Sequence, residues 1–233
     1  MKLLMMLAAL VVLSGRGESA ERKPLAEVVA DELIGDTQVT PAGAGDKHAA
    51  LCWWIPMEFW QALFSRDAST SEADKKNLLS ALRDITLAAV VQADISAMGA
   101  LHFYTKEEIE EHMTISFVDG DGRRTALQPL HEVDPDMEVI LGVFKPIMAA
   151  ALGNLGQNVH FYVLNDRTPK GNRLLDPYAS GVIRFGLIKR SGAVMNGEIG
   201  LPLNALFVPR KCPNGKDAHI SWRFCPWTGT PLE

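Results

Sequence analysis

The sequence has only three cysteines in 233 residues, too few for a fold held together by a disulfide framework. It has no excess of basic residues either, since 23 lysines and arginines stand against 28 aspartates and glutamates, a formal net charge of −5. Nucleic-acid-binding surfaces need clustered positive charge, so we expect no nucleic-acid partner. Hydrophobic residues make up 47% of the chain, which excludes wholesale disorder and is enough for a single core.

Catalytic motifs of recognisable spacing are absent from the sequence. There is no Gly-x-Ser-x-Gly turn, no phosphate-binding loop, no His-Glu-x-x-His and no dinucleotide-binding fingerprint. We therefore expect no cofactor, and we favour a non-catalytic binding or envelope-associated module over an enzyme.

Residues 1–20 predict a secretory signal peptide. Lys2 precedes an apolar run over residues 3–13, which is shorter than the roughly 20 residues needed to cross a bilayer, and small residues follow it as at a cleavage site. No later segment reaches membrane-spanning length without polar interruptions. We expect a periplasmic or secreted protein with no membrane span in its mature chain, and an envelope or extracellular partner.

Periodicity predicts an α+β fold, with helices packed on an antiparallel sheet. A helix over 24–34 and a Gly/Pro-rich linker occupy residues 21–48, and the α+β domain is expected over 49–208. Within it, period-two patterns predict strands and longer periods predict helices: strands at 85–94, 99–104, 113–118, 158–165 and 181–189, and helices at 72–84, 105–112 and 134–152. Two helix starts match capping boxes, Ser71 with Asp74 and Thr105 with Glu108.

The most aromatic stretch is residues 50–64, which contain Trp53, Trp54 and Trp60. Pro56 predicts the start of a helix within it. The tryptophans are either a binding surface or part of the core. Because aromatic side chains bury large areas, the core interpretation is favoured.

One cluster comes close to a catalytic constellation. Glu108 and His112 are four residues apart on the predicted helix, and His102 ends the preceding predicted strand. A carboxylate and two imidazoles could bind a divalent metal with an open position, which would make the protein an exported metal-dependent hydrolase. The alternative, which we favour, is a solvated acidic helix whose terminal His112 complements the helix dipole.

The last residues, 209–233, resemble a zinc ribbon, in which two Cys-Pro-x-Cys-Gly knuckles close a tetrahedral site. The Cys-Pro pairs at 212–213 and 225–226 keep the first half of each knuckle. The second ligand of each knuckle would fall at Gly215 and Thr228, and neither residue binds zinc. The tail is therefore a degenerate, ribbon-like unit.

The ribbon resemblance implies two alternatives for its remaining cysteines. With His219 as a third ligand, Cys212 and Cys225 could hold a metal weakly. A disulfide between Cys212 and Cys225 is favoured, because a ribbon places its knuckles face to face and disulfides persist outside the cytoplasm. Cys52, which has apolar neighbours, is then expected to be a buried, inert thiol.

Three features together resemble a group of exported bacterial proteins of unknown function. They are the Trp-Trp-Ile-Pro segment at 53–56, the Gly-Gln-Asn at 156–158 before a predicted strand, and the ribbon-like tail. The resemblance implies an exported location and this architecture, and it implies no activity.

Overall fold

Two antiparallel sheets form the frame of the molecule, seen in a computed structural model that describes residues 20–43, 45–130, 132, 135–153 and 155–232. The predicted signal peptide lies outside these residues, except for Ala20. The helices are α1 Ala30–Thr37, α2 Met57–Arg66, α3 Glu72–Ala81, α4 Lys106–His112 and α5 Pro135–Leu152. The strands are β1 Gln38–Val39, β2 His48–Ile55, β3 Ile85–Ile95, β4 Leu101–Phe103, β5 Thr114–Asp119, β6 Arg124–Leu127, β7 His160–Asn165, β8 Gly181–Ile188, β9 Val194–Leu201, β10 Arg210–Lys211 and β11 Asp217–Ala218.

The first sheet has the order β1-β2-β3-β4, and β7 also pairs with β3. Strand β3 is central because β2 lines one of its edges, while β7 and β4 share the other. The second sheet has the order β6-β5-β8-β9. All of these pairs are antiparallel, and one core cluster contains buried residues from both sheets, so the predicted α+β fold is confirmed.

The aromatic segment belongs to the core, as predicted. Trp53 and Trp54 are each 1% exposed on β2, and Trp60 is 2% exposed on α2. The Trp53 indole donates to Thr37 Oγ1 at 3.0 Å, and the Trp54 indole donates to Thr86 Oγ1 at 2.8 Å. Each buried N–H therefore has a partner, which is the condition for placing tryptophan inside a core.

Both predicted capping positions start helices, and the capping box is complete at Thr105 but only half formed at Ser71. At α4, the Thr105 hydroxyl accepts the backbone N–H of Glu108, and the Glu108 carboxylate accepts the N–H of Thr105. At α3, the Ser71 side chain accepts the N–H of Asp74. These contacts satisfy backbone donors that a helix leaves unpaired at its first turn.

The predicted helix over 24–34 is displaced in the structure. Residues Leu25–Glu27 form one 3-10 turn, Val28 is extended, and α1 starts at Ala30 and ends at Thr37, beyond the predicted end at residue 34. Val28 is 1% exposed, so packing of this side chain into the core outweighs the local helical pattern.

The segment predicted as a helix and linker packs into the same core as the rest of the chain. Strand β1 pairs with β2, and Leu33 on α1 is completely buried. Farther upstream, the backbone of residues 21–23 is hydrogen-bonded to residues 206–208: Val208 N donates to the Glu21 carbonyl at 2.8 Å, and Lys23 N donates to the Leu206 carbonyl at 2.9 Å. None of the helices in the described part of the chain is long and apolar enough to cross a membrane.

Candidate functional site

The structure does not assemble the predicted metal-binding trio. Glu108 is engaged by the guanidinium of Arg190, which reaches its two oxygens at 2.9 and 2.8 Å. His102 is exposed on β4, and His112 is exposed with its nearest ion-pair partner, Glu111, at 3.9 Å. Within the described residues, no group of three or more His, Cys, Asp or Glu side chains is placed to hold a metal ion. The geometry therefore gives the hydrolase alternative no support.

Arg190 instead organises a polar cluster between the two sheets. Besides Glu108, it donates to Asp94 Oδ2 at 3.0 Å and lies 3.9 Å over the ring of Tyr104. On the other side of Asp94, the His48 ring nitrogen Nδ1 lies 2.9 Å from Oδ1. The hydrogen bonds from Arg190 hold the pKa of Glu108 at about 2. Burial would raise the pKa of Asp94, but the hydrogen bonds from His48 and Arg190 outweigh it and lower that pKa.

The cysteines of the C-terminal tail, residues 209–232, each begin a tight turn. Gly215 N donates to the Cys212 carbonyl and Gly229 N donates to the Cys225 carbonyl, both at 2.8 Å. The two glycines have φ values of +81° and +69°, a region that side chains with a Cβ rarely adopt. The turns bring both cysteines into one small buried cluster with Ala218.

Cys212 and Cys225 are in direct contact, with their side chains 2.5 Å apart. Both are buried, and as thiols they differ in acidity. Burial raises the pKa of Cys212 to about 11. For Cys225 burial acts in the same direction, but hydrogen bonds from Cys212, from the Thr228 side chain and from backbone amides outweigh it and lower the pKa to about 7. Thr228, which stands where a ribbon has a metal ligand, here contacts sulfur as a hydrogen-bond donor.

Cys52 and His219 take no part in this pair. Cys52 is completely buried on β2, and burial raises its pKa, as expected of an inert thiol. The His219 ring lies 2.8 Å from Ser221 Oγ and beside the ring of Trp222. The His219 side chain, which a metal site would need as its third ligand, thus contacts Ser221 and Trp222 instead.

Three aromatic side chains of the tail are exposed to solvent and form what we call the aromatic face. Trp222 is 37% exposed, Phe224 59% and Trp227 48%. The rings of Trp222 and Trp227 meet edge to face with centroids 5.9 Å apart, and Lys216 Nζ lies 4.8 Å above the Trp227 ring. The small cluster beneath the tail is built from the two cysteines, Ala218 and Leu232, so it does not enclose these rings.

Comparison with models of known protein families gives no match, and neither do comparisons with curated proteins and with solved structures. In the Arg190 cluster the charged groups are paired within the protein, whereas the aromatic face is exposed to solvent. Sequence reasoning identified the tail by its cysteines, but the exposure of its aromatic residues has no local signature.

Proposed function

We propose that the protein is an exported, non-catalytic module that attaches to an anionic membrane surface of the cell envelope through its aromatic face. The observation that carries the proposal is the exposure of Trp222, Phe224 and Trp227 together on one short tail. Exposed apolar patches on monomeric proteins commonly mark contact sites, and tryptophan is favoured at the boundary between lipid and water.

Charge supports an anionic surface as the partner. Residues 209–233 carry four basic and two acidic residues, although the whole chain has a net charge of −5. Lys216 lies against the aromatic face, and Arg223 is next to Phe224 in the chain and makes no side-chain hydrogen bond or ion pair within the described residues. Basic side chains near an anionic leaflet contribute about 1 kcal/mol each to binding. Arg210 is not counted among the basic groups that would contact the membrane. Its guanidinium donates to the carbonyls of residues 219, 220 and 222 and so holds the loop that carries Trp222.

A periplasmic or secreted location is part of the proposal. The predicted signal peptide and the resemblance to exported bacterial proteins with ribbon-like tails support it. In that compartment Cys212 and Cys225 form a disulfide, because their side chains are already in contact and disulfides persist there. The bond ties together the two turns that flank the aromatic face.

Vesicle binding tests this function. The purified protein is mixed with vesicles of equal parts phosphatidylglycerol and phosphatidylcholine, and separately with vesicles of phosphatidylcholine alone. Because Trp53, Trp54 and Trp60 are buried, a blue shift of tryptophan emission reports on Trp222 and Trp227. We expect co-sedimentation and a blue shift with the anionic vesicles only, both weakened by added salt, which screens the charges.

Two variants locate the contact. Replacing Trp227 and Phe224 by Ala removes most of the aromatic face, and we expect it to abolish co-sedimentation. Met98→Ala is the matched control, because Met98 is 97% exposed but lies in the turn between β3 and β4. Equal binding to uncharged vesicles, no binding to either kind, or equal loss in both variants would each reject the proposal.

A further inference from the structure

An open cleft with a volume of about 730 Å³ lies between α2, α3 and the end of the first sheet where β3 begins and β7 ends. Sites for small molecules typically occupy roughly 300–1,000 Å³. The cleft is lined by α2, by the face of α3 and by Ile85, Asp166, Arg167 and Arg173. It is separate from the aromatic face, because none of its lining residues belongs to the tail.

One part of the cleft wall is apolar. Met57 and Phe64 face it from α2, Leu79 faces it from α3, and Ile85 comes from the start of β3. Phe64 is buried, while the other three are half-buried and retain apolar surface open to a ligand. Helix α3 itself contains no fully buried residue, so its apolar side chains are less enclosed than those of the core.

Two charged side chains that line the cleft have no ion-pair partner within the described residues, and both are basic. Lys76 and Arg83 line it, are exposed, and make no side-chain hydrogen bond or ion pair within the described residues. They flank Leu79 at a spacing of three and four residues, which places all three along one side of α3 and the turn after it. Two basic groups thus border an apolar side chain on a surface open to solvent.

The other charged groups at the cleft are already paired. Arg173 binds Glu58 and Asp166, Arg167 binds Asp84 at 2.9 Å, and Lys75 binds Glu72 at 2.8 Å. Each carboxylate is therefore paired with a cation, and because the cleft and these partners hold five basic groups against four acidic ones, the net charge around the cleft remains positive. This matters in a chain whose overall charge is negative, because an anion approaching elsewhere is repelled on average.

We infer that this cleft binds a small amphiphilic anion, in which a carboxylate or phosphate group meets Lys76 and Arg83 and a short apolar chain lies against Met57, Leu79 and Ile85. The anionic group gains two charge-assisted contacts, which are stronger than neutral hydrogen bonds. Binding of the apolar chain buries apolar surface of both the ligand and the cleft wall away from water, which favours binding. This inference is independent of the membrane attachment proposed above.

Isothermal titration calorimetry with four probes tests the ligand class. Octyl phosphate and octanoate carry both required parts, inorganic phosphate carries only the charge, and octanol carries only the chain. We expect binding of one or both of the first two, with at least tenfold weaker binding of inorganic phosphate and octanol. The stronger of the first two identifies the head group. Equal affinity for inorganic phosphate would exclude a role for the apolar wall, and equal affinity for octanol would exclude recognition of charge.

Variants locate the site. Lys76→Ala and Arg83→Ala should each weaken binding of the preferred probe roughly threefold, as expected for exposed charge pairs, and together about tenfold. Lys170→Ala is the control, because Lys170 is an exposed cation in the loop between β7 and β8. Leu79→Gln should weaken octyl phosphate but leave inorganic phosphate unchanged, which a general loss of structure would not do. Unchanged affinity in the double variant would overturn the inference, and so would an equal loss in Lys170→Ala.

The membrane proposal and the cleft proposal can be tested independently of each other. The variant that lacks Trp227 and Phe224 should retain full affinity for octyl phosphate, because the tail does not line the cleft. The double variant of Lys76 and Arg83 should retain vesicle binding. Loss of octyl phosphate binding in the tail variant would show that the probe binds the aromatic face, and it would overturn the cleft inference alone.

Discussion

Arg173 forms a two-point ion pair with Glu58, a residue of α2 that is distant in sequence. Nη1 lies 2.5 Å from Oε1 and Nη2 lies 2.9 Å from Oε2, while Nε donates to Asp166 Oδ2 at 3.2 Å. The side chains of Glu58 and Asp166 are only 6% and 4% exposed. Burial opposes the charge of Arg173, but the two carboxylates outweigh it and raise the pKa of the guanidinium. A single arginine thus makes two buried acidic groups tolerable in the core.

Replacing Arg173 by Met should therefore be strongly destabilising. The substitution leaves two buried carboxylates without their cation, which costs about 3–5 kcal/mol in comparable buried pairs. Urea unfolding at neutral pH measures the change. The matched control is Arg184→Met, whose partner Glu198 is 56% exposed, and we expect a change within about 1 kcal/mol. Similar losses in the two variants would contradict this account of Arg173.

The Arg190 cluster predicts a loss of stability in acid. Glu108 has a pKa of about 2 in the folded protein, below the value of about 4.3 for an unfolded chain. A lowered folded-state pKa gives stability that is complete above the unfolded value and is lost as the pH falls towards the folded value. Asp94, whose pKa is also lowered, acts with the same sign.

The substitution Arg190→Gln isolates this contribution. We expect it to destabilise the protein near pH 6 and the difference from the wild type to shrink as the pH falls from about 5 to about 2. Denaturant unfolding across that range measures the difference. Arg123→Gln is the control, because Arg123 and its partner Asp121 are 80% and 77% exposed and 3.9 Å apart. A difference for Arg190→Gln that does not change with pH would rule out this linkage.

The cysteine pair makes a prediction about thiol content. Denatured, unreduced protein isolated from an oxidising compartment should contain one titratable thiol, Cys52, because the proposed disulfide joins Cys212 and Cys225. Cys212→Ser should contain two and Cys52→Ala none. Three thiols in the wild type would contradict the disulfide.

The same bond should stabilise the tail locally. Closing a loop of about 14 residues contributes roughly 3 kcal/mol in the chain-entropy model. A reductant should therefore raise hydrogen exchange at tail amides such as Gly215 and Gly229, while the amides of β3 stay protected. Cys52→Ala should respond in the same way, since Cys52 lies on β2 away from the tail. An equal rise throughout the protein would mean that the bond stabilises the whole fold instead.

Local rules account for the parts of the fold that the sequence predicts well. The helix caps at Ser71 and Thr105 depend on residues three apart in the sequence, and from residue 183 onward strand β8 alternates buried residues with more accessible ones. Strand β2 was missed because its last four residues are all buried, so no period of two is visible in the Trp-Trp-Ile segment.

The sites could not be predicted from the sequence, because they depend on contacts between residues that are distant in the chain. Such contacts leave no pattern in the local sequence. Glu108 and His112 have the spacing of metal ligands, but Arg190, far along the chain, engages the carboxylate. The free cations Lys76 and Arg83 are ordinary helix-surface residues in the sequence. They form part of a site only because α2 and the sheet end provide an apolar wall beside them.

The pairing of residues 21–23 with 206–208 has a consequence for how the chain reaches its final form. A polypeptide is made from its N-terminus, and domains normally fold as units once their sequence has emerged. Here the earliest residues of the described structure find their backbone partners only after nearly all of the chain has been synthesised. Closing so long a loop costs entropy, which grows with loop length, although slowly. Ordering of the N-terminal segment is therefore a late event, and a chain interrupted before residue 206 leaves those backbone groups without their partners.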